Sequence, residues 1–303
     1  MEYIRTLAIV LLLIPGAARG ADPVQVFACE PEWAALAQEI GGGAVEVFAA
    51  THARQDPHYI RARPSLIAAL RRADLLVCTG GGLEVGWLPV LLQKAGNQSV
   101  SPGAAGHLLA AAVVELRDVP EQVDRSQGDV HPEGNPHLHL DPHNIDRVAA
   151  ALARRLQDID PDRAQHYQTR QEDFRRRWRQ AVTDWEARGE RLAGLPVIVH
   201  HQAWHYLIDW LDMREVAALE PRPGIPPTGA HLEGLLQTVR SQPVAAILRT
   251  PYAQPDAADW LAERTGVPVR VLAYTVGGAE GVDDLFALFD HTLQQLESVH
   301  VQR

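Results

Sequence analysis

The chain has 303 residues, of which 46% are hydrophobic and 22% charged, and its formal net charge is −10. This length fits two domains of ordinary size or one large one, and the composition excludes a disordered or coiled-coil chain. The acidic surplus argues against nucleic acid or an anionic lipid surface as the main partner, and it suits the binding of a cation.

The first 21 residues have the three regions of a secretory signal peptide. Arg5 precedes an uninterrupted apolar run, Leu7–Ile14, and small or helix-breaking residues follow over Pro15–Ala21. The apolar run is too short to cross a bilayer, and no later stretch reaches the length that a membrane span needs. The sequence therefore predicts a signal peptide over residues 1–21 and a soluble, exported mature chain in the periplasm.

Short apolar strands alternate with amphipathic helices beyond the signal peptide. The predicted strands are Val24–Ala28, Val45–Ala49, Leu75–Thr79, Pro196–Val199, Val244–Leu248 and Val269–Leu272. The predicted helices are Glu32–Ile40, Ser65–Arg72 with Ser65 as its cap, Leu232–Ser241 and Asp256–Thr265. This alternation predicts an α/β fold with parallel sheets covered by helices, in an N-terminal lobe (residues 22–144) and a C-terminal lobe (residues 194–303).

Residues 145–193, between the two predicted lobes, have a different composition. Glycine is almost absent, charged residues and Gln are frequent, and apolar residues recur at helical spacing, with a restart at Pro161. The pattern fits a pair of solvated helices or a long helix that joins and stiffens the two lobes. We favour the long helix.

The two cysteines, Cys29 and Cys78, each follow an apolar run that reads as a strand. An oxidising compartment permits a disulfide between them if their Cα atoms lie close enough. Two separate buried thiols are the alternative, and the sequence leaves both open.

The fourteen histidines are clustered. They gather in three segments that lie beyond strands or in proline-rich loops: His52 to His58, His131 to His143, and His200 to His205. Ligands of open parallel sheets bind at the loops that follow the carboxyl ends of strands. Since three imidazoles and one further ligand form an ordinary zinc shell, this clustering predicts a zinc site.

Several of these segments resemble a known family when they are taken in chain order. The motifs are Gln55-Asp56-Pro57-His58, Asn135-Pro136-His137, Leu140-Asp141-Pro142, and His201 after an apolar strand. In this order they resemble the zinc and manganese solute-binding proteins of ABC importers, and most closely the zinc-uptake type. The resemblance extends over nearly the whole mature chain.

The resemblance implies two α/β lobes that are joined by a long rigid helix and hold the metal between them. It assigns His58, His137 and His201 as ligands, His201 being preferred to His200 because strand alternation directs only one of them into the cleft. It leaves His139 either as a residue that contacts the ligands or as a histidine without a role in the site. It also implies that the chain is not an enzyme, that its partner is the permease of a zinc importer, and that a periplasmic metallochaperone can load it. We expect a monomer.

The fourth ligand departs from the family pattern. Many relatives have an Asp after the last strand of the second lobe, whereas this chain reads Val271–Thr275 without a carboxylate. Water or Glu220 is expected in that place, with Glu280 and Asp283 as further candidates. The loss of a carboxylate favours Zn²⁺ over Mn²⁺, because an imidazole shell suits the harder ion poorly.

Three other residues allow two interpretations each. Asp56 and Asp141 either orient a ligand histidine or cap a turn beside their prolines. His131 lies in a short acidic loop where zinc-uptake relatives carry a long His-rich insertion. It is either part of a metal-collecting loop or part of a solvated connector.

A zinc-dependent hydrolase of the exported compartment is the alternative function. His137-Leu138-His139-Leu140-Asp141-Pro142-His143 comes close to the H-x-H-x-D-H motif of metallo-β-lactamase-like enzymes. Pro142 interrupts the Asp-His adjacency that this motif needs, and the sequence contains no H-E-x-x-H motif. We therefore favour metal transport.

Overall fold

The computed structural model describes residues 22–122, 128–129 and 131–299. The predicted signal peptide lies outside these residues. Within the described part of the chain, every helix is too short or too polar to traverse a lipid bilayer.

The N-terminal half forms a parallel sheet with the strand order β2-β1-β3-β4. Its strands are β1 (Val24–Ala28), β2 (Val45–Ala49), β3 (Leu75–Cys78) and β4 (His107–Leu109). Its helices are α1 (Pro31–Gly41), α2 (Pro64–Arg72), α3 (Leu88–Ala95) and α4 (Pro142–Ile159). The prediction of Ser65 as the cap of α2 is wrong: the helix begins at Pro64, with Arg63 in the cap position. Proline suits the first helical position because its φ is fixed and no N–H is needed there.

Helix α5 (Ala164–Gly189) follows α4 after a short turn at Pro161–Arg163. Its 26 residues span about 39 Å, at about 1.5 Å per residue. It packs against α1 and α4 of the N-terminal half and against the last helix of the chain. Its buried aromatic residues, among them Phe174, Trp178 and Trp185, form this contact surface. The prediction of a long helix between the lobes is confirmed.

The C-terminal half repeats the architecture of the first, with the parallel strand order β6-β5-β7-β8. Its strands are β5 (Pro196–Val199), β6 (Arg214–Ala218), β7 (Ala246–Arg249) and β8 (Val269–Val271). Its helices are α6 (His205–Trp210), α7 (Gly229–Ser241), α8 (Asp256–Thr265) and α9 (Leu285–Glu297). The two-lobe α/β fold is therefore the one that the sequence predicts, whereas the exact lobe boundaries stay a prediction.

The two lobes share one apolar core. A continuous cluster of buried residues includes Val26 and Leu75 of the first sheet, Trp178 of α5, and Val197 and Leu248 of the second sheet. Further contacts cross between the lobes: Thr275 Oγ1 donates to Glu32 Oε2 at 2.5 Å, and the Tyr206 hydroxyl donates to the Asn135 carbonyl at 2.8 Å. A wide hinge motion would expose this core, so the scaffold favours a fixed distance between the lobes.

Candidate metal centre

Three imidazoles converge between the lobes. One ring nitrogen from each of His58, His137 and His201 lies within 4.8 Å of the other two. The ring centroids are 5.5 Å apart for His58–His137 and for His137–His201, and 5.8 Å apart for His58–His201. His58 lies in the loop after β2, His201 is the second residue after β5, and His137 precedes α4. The site therefore lies at the carboxyl ends of the strands, where parallel α/β sheets bind their ligands.

Each of the three imidazoles has a hydrogen-bond partner at Nδ1. The partners are Asp56 Oδ1 for His58 at 2.7 Å, the Tyr274 hydroxyl for His137 at 2.6 Å, and Glu220 Oε2 for His201 at 2.7 Å. A carboxylate only accepts, so His58 and His201 carry their protons on Nδ1. This tautomer leaves each Nε2 lone pair free for a metal, and the Nδ1 partner fixes the ring orientation.

Burial favours the neutral, metal-binding form of His137. It lowers the pKa of His137 well below the usual value, and the neighbouring His201 and His58 lower it further. Burial raises the pKa of Asp56, but hydrogen bonds from His58 and its charge outweigh that effect and hold this pKa below its usual range. A neutral imidazole beside an ionised carboxylate is the form that coordinates a divalent cation.

His131 lies beside these three histidines. Its Nε2 is 3.2 Å from Nε2 of His58, and its ring centroid lies 5.2 Å from that of His58 and 6.3 Å from that of His137. Burial, helped by the charges of His58 and His201, lowers the pKa of His131 to about 4. Zinc–nitrogen bonds of about 2.0–2.1 Å place tetrahedral ligand nitrogens about 3.3–3.4 Å apart. The His131–His58 contact has the length of a hydrogen bond between the two rings and is close to the separation of two ligands of one ion. His131 lies outside the set of three histidines whose nitrogens are all within 4.8 Å of one another.

The segment that carries His131 contacts both lobes. The Asp129 amide donates to the Pro223 carbonyl at 2.8 Å, and the Tyr59 hydroxyl donates to Asp129 Oδ2. Tyr59 follows His58 in the N-terminal lobe, and Pro223 belongs to the loop after Glu220 in the C-terminal lobe. Asp129 thus ties the His131 segment to the loops of two other site histidines.

Glu220 orients His201 and supports its own loop. Its Oε2 accepts hydrogen bonds from His201 Nδ1 and from the Gly224 amide, each at 2.7 Å. Glu280 and Asp283, the further candidates for a fourth ligand, are exposed, and in the described part of the chain neither bonds to a site histidine. Tyr274, in the segment that follows β8, reaches the site through Nδ1 of His137.

The remaining predicted site residues lie around this centre. His139 is fully buried behind Tyr274, where its Nε2 donates to the Tyr274 carbonyl at 2.9 Å and its Nδ1 lies 3.5 Å from Glu32. Asp141 accepts from the His143 amide at 2.8 Å and caps α4, which favours the capping interpretation. His200 is buried outside the convergent set, with Nε2 3.8 Å from Glu220 Oε1.

Cys29 and Cys78 are joined as a disulfide between the ends of the neighbouring strands β1 and β3. Their Cα atoms are 4.8 Å apart, and both side chains are fully buried. The bond lies beneath the loops that follow these strands, on the side of the sheet edge where the imidazoles converge.

Two cavities border the imidazoles. One of about 640 Å³ reaches His58 and His201, and its wall includes the aromatic side chains of Tyr252 and Trp260. The other, of about 460 Å³, reaches His131, His137 and His201. The convergent nitrogens therefore border open space on two sides and are not sealed in the core.

Comparisons with known proteins agree with this architecture. Two curated relatives are the zinc-binding lipoprotein AdcA of Streptococcus pneumoniae (strain TIGR4), 23% identical over 239 residues, and the high-affinity zinc uptake system protein ZnuA of Brucella abortus (strain 2308), 24% identical over 135 residues. The alignments cover 78% and 43% of this chain, but only 46% and 40% of those relatives, so the chain spans less than half of their length.

Solved structures share the fold. A crystal structure of ZnuA superposes with a TM-score of 0.74 at 22% identity, covering 91% of this chain and 98% of the other. A mutant of the laminin-binding adhesin Lmb of Streptococcus agalactiae gives 0.71 at 20% identity, covering 90% and 99%. A family model described as "ZnuA: Zinc-uptake complex component A periplasmic" matches residues 26–299. Because this match spans nearly the whole chain, the protein belongs to the ZnuA family.

Proposed function

We propose that the protein captures zinc outside the cytoplasm and delivers it to the permease of an ABC importer. The observation that carries this proposal is the convergence of His58, His137 and His201, each with Nδ1 hydrogen-bonded to a neighbouring side chain. Membership of a zinc-uptake family and the zinc-binding names of its relatives support the same function.

The proposed shell consists of these three histidines with His131 as the fourth ligand. A 3.2 Å separation between two Nε2 atoms fits a shared cation, and the low pKa of His131 keeps its nitrogen free to coordinate. This assignment replaces the sequence-based expectation of water or Glu220. Glu220 Oε2 instead accepts from Nδ1 of His201 at 2.7 Å.

An all-nitrogen shell favours Zn²⁺ over Mn²⁺. Imidazole suits zinc and other borderline ions, whereas Mn²⁺ prefers carboxylate, carbonyl and water oxygens. The carboxylates Asp56 and Glu220 face the far nitrogens of the ligand rings, so they contribute negative charge without direct coordination. We expect Mn²⁺ to bind more weakly than zinc.

Delivery requires a surface that the permease can recognise near the site. Tyr59, which follows His58, is 64% exposed, and Ile225, beside the Asp129 contact, is 42% exposed. Exposed large apolar side chains at the mouth of a binding cleft are suited to a protein partner. We propose that the permease docks there, that a periplasmic metallochaperone can load the same opening, and that the protein acts as a monomer without enzymatic activity.

Export through cleavage of residues 1–21 belongs to the same proposal, and N-terminal sequencing of the secreted protein tests it.

Native mass spectrometry with a zinc titration tests the metal site. We expect one tightly held zinc, which is lost in His58→Ala, His137→Ala and His201→Ala. His143→Ala is the matched control, because this side chain is about half exposed and pairs with Glu186 away from the site. Stoichiometric binding by all three variants, or equal loss in the control, would refute the assignment.

A hydrolase requires a different result from the same zinc-loaded protein. A catalytic zinc keeps an open position for an activated water, whereas four histidine ligands close the shell. Turnover of ester or lactam substrates that depends on His137 would favour the hydrolase over transport.

A further inference from the structure

The loop between β3 and α3, residues 79–87, lies directly under the candidate zinc site. Gly82 packs so closely on His131 that a Cβ atom there would lie 3.2 Å from Nδ1 of that histidine. Near the other end of the loop, the Trp87 indole donates to the Pro57 carbonyl at 2.8 Å. A Cβ at Gly86 would lie 3.4 Å from the His58 carbonyl. The loop thus supports the chain at both His131 and His58.

The backbone of this loop has an unusual conformation that needs tertiary contacts to hold it. Gly80, Gly81 and Gly82 have φ values of 75°, 61° and 85°, so three successive residues are in the left-handed region. Glycine allows this conformation, but it also leaves the unfolded loop with more freedom to lose than any other residue would. A specific contact is therefore needed to hold the loop in one shape.

Glu84 supplies that contact. Its side chain is 3% exposed and turns back into the loop, where Oε1 accepts from the Thr79 amide at 2.7 Å and Oε2 from the Gly80 amide at 3.0 Å. These two amides begin the glycine run, so the carboxylate fixes the direction in which the loop leaves β3. Hydrogen bonds to a charged acceptor are stronger than those between neutral groups.

The position of Glu84 is secured in turn by a second buried acid. Glu84 shares its contact at Thr79 with Glu30, whose carboxyl group is also buried. Glu30 Oε2 also accepts from the Thr79 amide at 3.2 Å and from its hydroxyl at 3.0 Å. Burial raises the pKa of Glu84 to about 7 and the pKa of Glu30 well above its usual value. Burying two carboxyl groups is costly compared with an apolar pair of the same size, so stability alone does not account for them.

We propose that Glu84 is a positioning residue of the zinc site, which sets the distance between His131 and His58 by holding loop 79–87. The inference rests on the proposed function, since it concerns the affinity of that same site. Glu84 touches no metal ligand. Its effect passes through the backbone of Gly82 to His131 and through Trp87 to the chain at His58.

Zinc affinity, measured by competition with a chromogenic chelator, tests this role. Removing a group that orients a ligand typically costs about 10- to 100-fold in metal affinity, so we expect Glu84→Ala to weaken zinc binding by about tenfold. Glu84→Gln should weaken zinc binding less than Glu84→Ala, because an amide oxygen in the place of Oε1 still accepts from the Thr79 and Gly80 amides, whereas its NH₂ replaces only the second acceptor. Leu236→Ala in α7 is the control: it removes a buried side chain away from the loop, and it should leave zinc affinity unchanged.

Two further variants separate positioning from a general loss of stability. In a His131→Ala background, Glu84→Ala should weaken zinc binding clearly less than in the wild type, because the contact between Gly82 and His131 no longer contributes. Gly82→Ala keeps the acid pair but presses a methyl group toward His131, and it should weaken zinc binding on its own. Wild-type affinity in Glu84→Ala, or an equal effect of Glu84→Ala in the two backgrounds, would overturn the inference alone. A wild-type protein that binds no zinc would overturn the proposed function itself.

Discussion

Replacing Tyr274 by Phe removes one oxygen atom from the surroundings of the candidate zinc site. The Tyr274 hydroxyl lies 2.6 Å from Nδ1 of His137, and both side chains are buried. The aromatic ring stays in place, as does the Tyr274 carbonyl that accepts from His139 Nε2 at 2.9 Å. The substitution therefore tests a single hydrogen bond to a ligand histidine.

The sign of the effect follows from the protonation of His137. When zinc occupies Nε2, the ring proton has to be on Nδ1, where in the variant it finds no acceptor. Without zinc, the proton can move to Nε2, which borders a cavity. The cost of the unpaired N–H thus falls mainly on the loaded protein. An unsatisfied buried donor costs about 1–3 kcal/mol, which corresponds to about 5- to 150-fold weaker zinc binding.

Competition with a chromogenic chelator at neutral pH measures this loss. Tyr252→Phe is the matched control, because Tyr252 lies next to Tyr274, with ring centroids 5.6 Å apart, and within the described residues it has no hydrogen bond to a site histidine. Zinc binding by Tyr274→Phe that equals both wild type and this control would refute the reasoning that the hydroxyl orients His137.

Three other predictions concern stability and release. Replacing Cys29 and Cys78 by Ala removes a cross-link between residues 49 positions apart, which should lower the free energy of unfolding by up to about 4 kcal/mol; an unchanged thermal midpoint would contradict it. Asp129→Ala frees the His131 segment, so zinc should dissociate about tenfold faster in a stopped-flow chelator assay, and a wild-type rate would show that this tie is unimportant. His205→Gln tests a pH effect. Interactions with the carboxylates of Asp118 and Glu215 outweigh burial and raise the pKa of His205 to about 10. Its contribution to the free energy of unfolding is therefore complete below about pH 6.5 and is lost as the pH rises toward 10. The difference in unfolding free energy between wild type and His205→Gln should shrink over this range, and a constant difference would contradict the linkage.

Much of the fold is encoded in local patterns. The predicted limits of β1, β2 and β5 agree with the structure to the residue, because each is a short run dominated by Val and other apolar residues. Helix α8 agrees equally well. These elements are defined by residues that are neighbours in sequence, so periodicity alone identifies them.

Two strands escaped prediction for physical reasons. β4 has only three residues, His107–Leu109, too few for an alternating pattern to emerge. β6, Arg214–Ala218, lies at the edge of the second sheet and is largely half-exposed, so it lacks the apolar run of a central strand. Both are defined by pairing with β3 or β5, and sequence periodicity does not register a pairing between distant segments.

The candidate site also contains residues that local patterns predict and residues that only tertiary contacts define. The loops of His58, His137 and His201 could be predicted from their strands and motifs. Tyr274, in contrast, is 137 residues from its partner His137, and His131 is 73 residues from His58. From the sequence, Tyr274 was visible only as a missing carboxylate, and His131 was one of two interpretations of an acidic loop. Their roles depend on tertiary contacts that no local pattern contains.

The stiffness of the scaffold restricts how the ion can be released. A core shared by both lobes opposes wide opening, and His58, His137 and His201 each have a fixed Nδ1 partner. His131 differs from them, because its segment is tied across the cleft by Asp129 and supported from below by loop 79–87. Moving this one segment would remove a ligand without exposing the core. Local rearrangements of surface loops cost far less than global unfolding, so a docking partner that displaces Asp129 could lower zinc affinity while both lobes stay in place. The described contacts thus favour a local change at His131 over a hinge motion between the lobes.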